Sequence, residues 1–219
     1  MRILRDNGLT IVLMAVSLMT VAGMVLTGWQ VNNHELAEHG ASTLTLTSYS
    51  VSGQFLSALF ENWESEFLQM SAYVMLTAFL FQRGSAESKD PDEKAPQDED
   101  PAKFADDPKA PWAVRAGGMI RSVYAYSLGL SLAALFFVSF FLHLRYSAEA
   151  ENAQAALHGQ PPTSVVEHLA SAQFWFESLQ NWQSEFLSTA VLVVRSIFLR
   201  FRGSPESKPV AAPHSQTGC

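Results

Sequence analysis

The chain is poor in cysteine and in charge. Its one cysteine, Cys219, is the last of 219 residues, so no intrachain disulfide framework and no cysteine-built zinc site is open to it. Charged residues make up 16% of the sequence against 48% hydrophobic ones. Within that small charge the acidic side dominates, 21 Asp and Glu to 14 Lys and Arg. Phosphate binding needs a basic face, so nucleic acid is not an expected partner. Catalytic motifs are missing as well. There is no Gly-x-Ser-x-Gly, no phosphate loop and no His-Glu-x-x-His. The expectation is a protein that is not an enzyme and holds no cofactor. Gly117-Gly118 reads as a flexible entry to a helix rather than a phosphate nest.

What is present is a set of apolar runs. Leu9 to Gly28 is about 20 residues without a charge, enough to cross a hydrocarbon core of roughly 30 Å. Phe67 to Phe81 is short for a span and becomes long enough only if its helix starts upstream, near Gly53. That helix then carries Glu61, Asn62, Trp63, Glu64 and Glu66 at or near the interface. Val123 to Leu144 is a third run. Phe186 to Phe201, which holds Arg195, is a fourth and is short in the same way as the second. Four helices are expected. Arg2 and Arg5 with the run behind them resemble a signal peptide; the duplication described next pairs this segment with an internal helix and favours a true span.

The basic residues orient the spans. Arg2 and Arg5 precede the first, none lies between Trp29 and Glu66, and seven fall between the second and third (Arg83, Lys89, Lys94, Lys103, Lys109, Arg115 and Arg121). Only Arg145 lies between the third and fourth, and Arg200, Arg202 and Lys208 follow. Both termini and the central loop are therefore expected to be cytoplasmic, and both long hairpin loops to face outward.

The strongest signal is self-similarity. Asn62-Trp63-Glu64-Ser65-Glu66-Phe67-Leu68 matches Asn181-Trp182-Gln183-Ser184-Glu185-Phe186-Leu187, and Arg83-Gly84-Ser85-Ala86-Glu87-Ser88-Lys89 matches Arg202-Gly203-Ser204-Pro205-Glu206-Ser207-Lys208. The offset is 119 in both (181 − 62 and 202 − 83), and it also pairs His39-Gly40 with His158-Gly159. A repeat of this kind comes before any other inference about architecture. Two spans per copy put both copies the same way round. The expected fold is an all-α membrane protein of four transmembrane helices, two parallel two-helix repeats about a pseudo-twofold axis along the membrane normal. The expected boundaries are 1–89 and 120–208 for the repeats. A disordered acidic, proline-rich cytoplasmic linker fills 90–119, and 209–219 forms a disordered tail.

With the Asn-Trp-x-Ser-Glu-Phe-Leu core and the Arg-Gly-Ser-x-Glu-Ser-Lys ending both present twice, the chain resembles a bacterial family of small duplicated membrane proteins known only as a domain of unknown function. The resemblance extends over nearly the whole chain, including Asp106-Asp107-Pro108 to Pro111-Trp112. It implies a bacterial inner-membrane location and brings no catalytic residues with it. The second outer loop, His158-Gly159-Gln160-Pro161-Pro162, is closer to the family pattern than His39-Gly40-Ala41-Ser42.

Asn62, Glu66, Gln69 and Tyr73 follow one another at intervals of four, three and four, one helical face. Asn181, Glu185 and Ser188 take the equivalent face in the second copy. One reading makes these a polar chamber on the axis, with Glu66 and Glu185 as proton or cation ligands, since a carboxylate at membrane depth must face protein or water. The other makes them an interfacial helix start, with Trp63 and Trp182 as belt anchors and the asparagines bonding across helices. Arg195 is expected to snorkel toward the cytoplasmic side. His34, His39, His158 and His168 share the outer loops with Glu35, Glu38 and Glu167, but their spacing fits no standard metal motif, and no metal is expected. His143 is expected at the interface. Ser164-Val165-Val166-Glu167 fits a capping box that opens a short helix. The partners expected are the lipid bilayer and either a second membrane protein or a further copy of the chain. The leading function is a non-enzymatic structural or accessory membrane subunit, followed by a small transporter or channel using Glu66 and Glu185. A metal-dependent membrane enzyme comes last.

Overall fold

In the computed structural model the described residues are 2–218, and Cys219 lies outside them with Met1. The chain is helical, with no strand among the described residues. The order is α1 (Arg2–Glu38), α2 (Leu46–Tyr49), α3 (Gly53–Thr77), two 3-10 turns (Pro96–Asp98 and Pro101–Phe104), α4 (Trp112–Ala116), α5 (Gly118–Ala125), α6 (Ser127–Leu157), α7 (Val165–Leu169) and α8 (Ala172–Phe198). Two stretches, Ile3–Glu38 and Ser127–Leu157, are long and apolar enough to cross a membrane.

Proline placement explains where the long helices survive. The ten prolines all fall between 91 and 111, at 161–162 and between 205 and 213. None enters α1, α3, α6 or α8, where a missing N–H and a ring clash would kink them. Pro96 and Pro101 open the two 3-10 turns. α3 starts at Gly53, as the short second run requires, and α8 starts correspondingly early at Ala172. α1 is interrupted at Asn7 (φ −131°, ψ 16°), and Tyr126, 119 positions on, separates α5 from α6 with φ −114° and ψ 8°.

The chain forms two compact units: residues up to Glu61 with Phe140–Trp175, and Asn62–Ser139 with the residues from Phe176 on. In the first, α1 and α6 end alike. The Ala41 N–H bonds Leu36 O at 2.8 Å and the Gln160 N–H bonds Ala155 O at 2.9 Å, closing the last turn over glycines in the left-handed region, Gly40 (φ 68°) and Gly159 (φ 65°). One asparagine on each helix then clamps the returning loop. Asn33 accepts from Leu44 N at 2.7 Å and donates to Leu44 O at 2.9 Å. Asn152 does the same to Thr163, at 2.7 and 2.9 Å. Thr45 caps α2. Ser164 and Glu167 form the expected capping box at α7, which holds the Glu167 carboxyl below the usual range through the Ser164 hydroxyl and N–H. Wholly buried Phe174 is the centre of an aromatic cluster with Phe140, His143, His168 and Trp175.

In the second unit the segment expected to be disordered runs through the 3-10 turns and α4, where Ala113 and Val114 are buried. The ion pairs along it, Arg83–Asp92 and Lys89–Asp98, stand at its surface, where such pairs contribute little. The tail beyond Pro209 bends around Lys208, whose ammonium needs acceptors once it leaves water.

Gly28 yields a first prediction. A Cβ there would stand 2.3 Å from the Tyr49 hydroxyl oxygen. Gly28→Ala should destabilise the fold by about 1–3 kcal/mol through overpacking. Gly28→Ala with Tyr49→Phe should regain most of that in denaturant unfolding; a double variant no better than the single would refute the clash.

Candidate functional site

The candidate residues on α3 and α8 belong to the second unit. Gln69 Nε2 donates to Thr189 Oγ1 at 2.6 Å, tying α3 to α8. The Thr189 hydroxyl donates in turn to the Glu185 carbonyl at 3.0 Å. Glu66 and Glu185 come near enough for one carboxylate to act on the other. Gln69 and Thr189 are thus joined between the two helices, while Glu66, about one turn before Gln69, is exposed.

The remaining candidates are placed differently. Ser188 turns its hydroxyl onto its own helix, donating to Glu185 O at 2.9 Å. Asn181 donates to Glu177 O at 3.3 Å, again within α8, and Asn62 is exposed. The two tryptophans differ. Trp63 is 42% exposed. Trp182 donates its indole N–H to Glu64 Oε1 at 2.9 Å and meets Phe136 edge-on. Glu64 is wholly buried, although the sequence reading grouped it with the interfacial glutamates. Its counterpart 119 positions on is Gln183, so the repeat gave no hint of it. Arg195 is exposed on α8.

One turn beyond Gln69 the same α3 face reaches the first Arg-Gly-Ser-x-Glu-Ser-Lys motif. Tyr73 donates its phenol to Glu87 Oε2 at 3.0 Å. Burial pushes the Glu87 carboxyl above the ordinary carboxylate range; the Tyr73 bond opposes this, and the nearby Glu206 adds to it. Glu87 and Glu206 occupy the same place in the two motif copies. Lys208, from the second copy, is 1% exposed. Its Nζ donates to Gly84 O at 2.6 Å, Gln216 O at 2.9 Å and His214 O at 3.0 Å. Burial, then Arg200, lowers its pKa. Sequence reasoning used these motifs to find the repeat and the family resemblance; the signal that they carry contacts was their polarity in both copies.

In the first unit the four histidines expected in outer loops part company, with His34 inside α1 and His168 inside α7. His34 faces Glu38 Oε1 at 3.3 Å on the surface. The His39 and His158 rings meet, centroids 5.1 Å apart and planes inclined by 71°. His168 is wholly buried, its Nε2 2.8 Å from Ser147 Oγ and its Nδ1 on the Glu151 carboxylate. The acid and the hydroxyl sit one turn apart on α6 and lock α7 to it. A hydroxyl, imidazole and carboxylate in that order resemble a catalytic triad; Ser147 is buried, and the contacts tie α7 to α6. His143, expected at the interface, is wholly buried against Phe174, ring centroids 5.0 Å apart. Among the described residues no three of His, Cys, Asp and Glu converge as a metal-holding group.

A family model described as a domain of unknown function (DUF6766) matches residues 1–219, and the chain belongs to that family. No curated protein and no solved structure matches the chain.

Glu87 gives a pH prediction. Its folded pKa lies above its unfolded one, so the folded chain binds the proton more tightly and stability falls as pH rises through the carboxyl range. Glu87→Gln, neutral throughout, should flatten that fall. Its advantage over the parent should be absent near about pH 3 and present above about pH 6 in detergent unfolding series. A constant difference across the series would contradict the assignment.

Proposed function

We propose that this member of the DUF6766 family is a bacterial inner-membrane protein of four spans, two parallel repeats with both termini cytoplasmic, and that it serves as a non-enzymatic accessory subunit. The observation that carries the subunit role is α1. No residue of its apolar window is buried, whereas more than a quarter of the corresponding window of α6 is. Ile11, Met14, Leu18 and Met19 are all exposed. In lipid the hydrophobic effect does not drive helices together, and close packing does. A span with an unused packing face therefore suits a helix of another membrane protein. The topology draws support from the matched features 119 positions apart: the helix breaks at Asn7 and Tyr126, the asparagine clamps, and the left-handed glycines.

A second reading, a small proton or cation carrier, is favoured by the approach of Glu66 to Glu185 beside the Gln69–Thr189 bond. Two carboxyl groups in reach of each other at membrane depth are relieved by a proton or a cation.

Two experiments separate these readings. A photo-crosslinking residue at Leu18, in native membranes, should capture a defined protein under the accessory reading; adducts with lipid alone would end it. For the carrier reading, purified protein in liposomes should pass protons or monovalent cations, and Glu66→Gln with Glu185→Gln should abolish the flux. Undiminished flux in the double variant would remove those carboxylates from the path.

A further inference from the structure

We propose that His39 and His158 form a two-imidazole site for a divalent transition-metal ion of the nickel, copper and zinc group. The two residues are 119 positions apart, and each directly follows the last turn of a long helix, α1 or α6. Three features make the pair more than a chance contact of rings.

The first is the state of the ring nitrogens. Nδ1 of His39 lies 2.9 Å from Glu35 O, and Nδ1 of His158 lies 2.9 Å from Gln154 O. A backbone carbonyl can only accept, so each Nδ1 carries the hydrogen, and in the neutral ring that leaves the Nε2 lone pair for a ligand. A carbonyl bonded to one imidazole nitrogen is the usual way a protein fixes the tautomer and orientation of a ligating histidine. Here both rings are fixed alike.

The second is spacing. Imidazoles that bind one tetrahedral ion through single nitrogens at about 2.0–2.1 Å have ring centroids roughly 5 Å apart. The observed separation is 5.1 Å, with inclined planes.

The third is electrostatic. Both histidines stand at helix C-termini, where the aligned peptide dipoles leave partial negative charge that favours a cation. The Glu35 carboxylate, one turn back, is 3.3 Å from Gln154 Nε2, which adds negative charge beside the pair. Both rings are exposed, so an ion can reach them from solvent.

With two protein ligands, the remaining positions fall to water or to a second chain. That makes the site labile and open, unlike a closed four-ligand structural zinc site. Imidazole nitrogen selects the later transition metals over magnesium or calcium, which prefer oxygen. The inference does not depend on the proposed role or on which way the chain is inserted.

The test uses the full chain in detergent with Cys219→Ser, titrated with Cu2+ and followed by electron paramagnetic resonance. One Cu2+ per chain with two coordinated nitrogens is expected, and Zn2+ should displace it while Mg2+ should not. His39→Asn and His158→Asn keep a side-chain donor for the helix end and lose Nε2. Each should weaken binding by about tenfold or more, with helix content unchanged by circular dichroism. His34→Gln should leave it unaltered. The proposal is overturned if the parent shows no two-nitrogen signal, or if the double asparagine variant binds Cu2+ as the parent does.

Discussion

α1 and α6 each have to hand the chain back through a loop whose backbone is paired in no helix, and an asparagine side chain on each helix solves this. A carboxamide has the same donor and acceptor as a peptide group. Asn33 and Asn152 use both, each on the backbone of a single residue eleven positions downstream. That pairing fixes where the loop returns. It sets the start of α2 and α7, whose caps come one residue later at Thr45 and Ser164, and through them the entry to α3 and α8. Removing the Asn152 carboxamide would take a partner from both the N–H and the carbonyl of Thr163; removing that of Asn33 would strip the Leu44 N–H, while Leu44 O keeps the Trp29 indole N–H at 2.7 Å.

The second motif shows how far identical local chemistry carries. Ser88 and Ser207 each accept an N–H from six residues back, that of Gln82 or Phe201, at 2.9 Å. Gly84 and Gly203 both sit in the left-handed region, at φ 83° and 89°. These are bonds within a few residues, and the same letters produce them. The lysines diverge. Lys208 is enclosed by carbonyls, while Lys89 reaches Ala78 O at 3.1 Å and Asp98 from a more open position. What surrounds a long side chain is set by distant segments, and those are not duplicated.

The same division explains what could be read in advance. The early start of α3 at Gly53 followed from the shortness of an apolar run, and the capping box at Ser164 from a four-residue pattern. Both are local. The burial of Glu64, His168 and Lys208 was not legible, because each depends on a partner remote in sequence: Trp182, Ser147 and the carbonyls of Gly84 and the tail. The residue that Gln69 bonds on α8, Thr189, is one position away from the serine that register alone selected.

The lock between α7 and α6 has a different counterpart in the first half of the chain. Ser147, Glu151 and His168 correspond, 119 positions earlier, to Gly28, Asn32 and Tyr49. The phenol is longer than the imidazole, and the residue it points at is smaller: the Tyr49 hydroxyl fills the place a Cβ at position 28 would take. The space is filled in both halves by different divisions of the same volume. Neither half can now accept the other's residue singly, since a tyrosine at 168 meets a serine and a histidine at 49 leaves a void beside a glycine. The three positions therefore exchange between the halves more readily as a set than one at a time, which makes them a single unit of substitution.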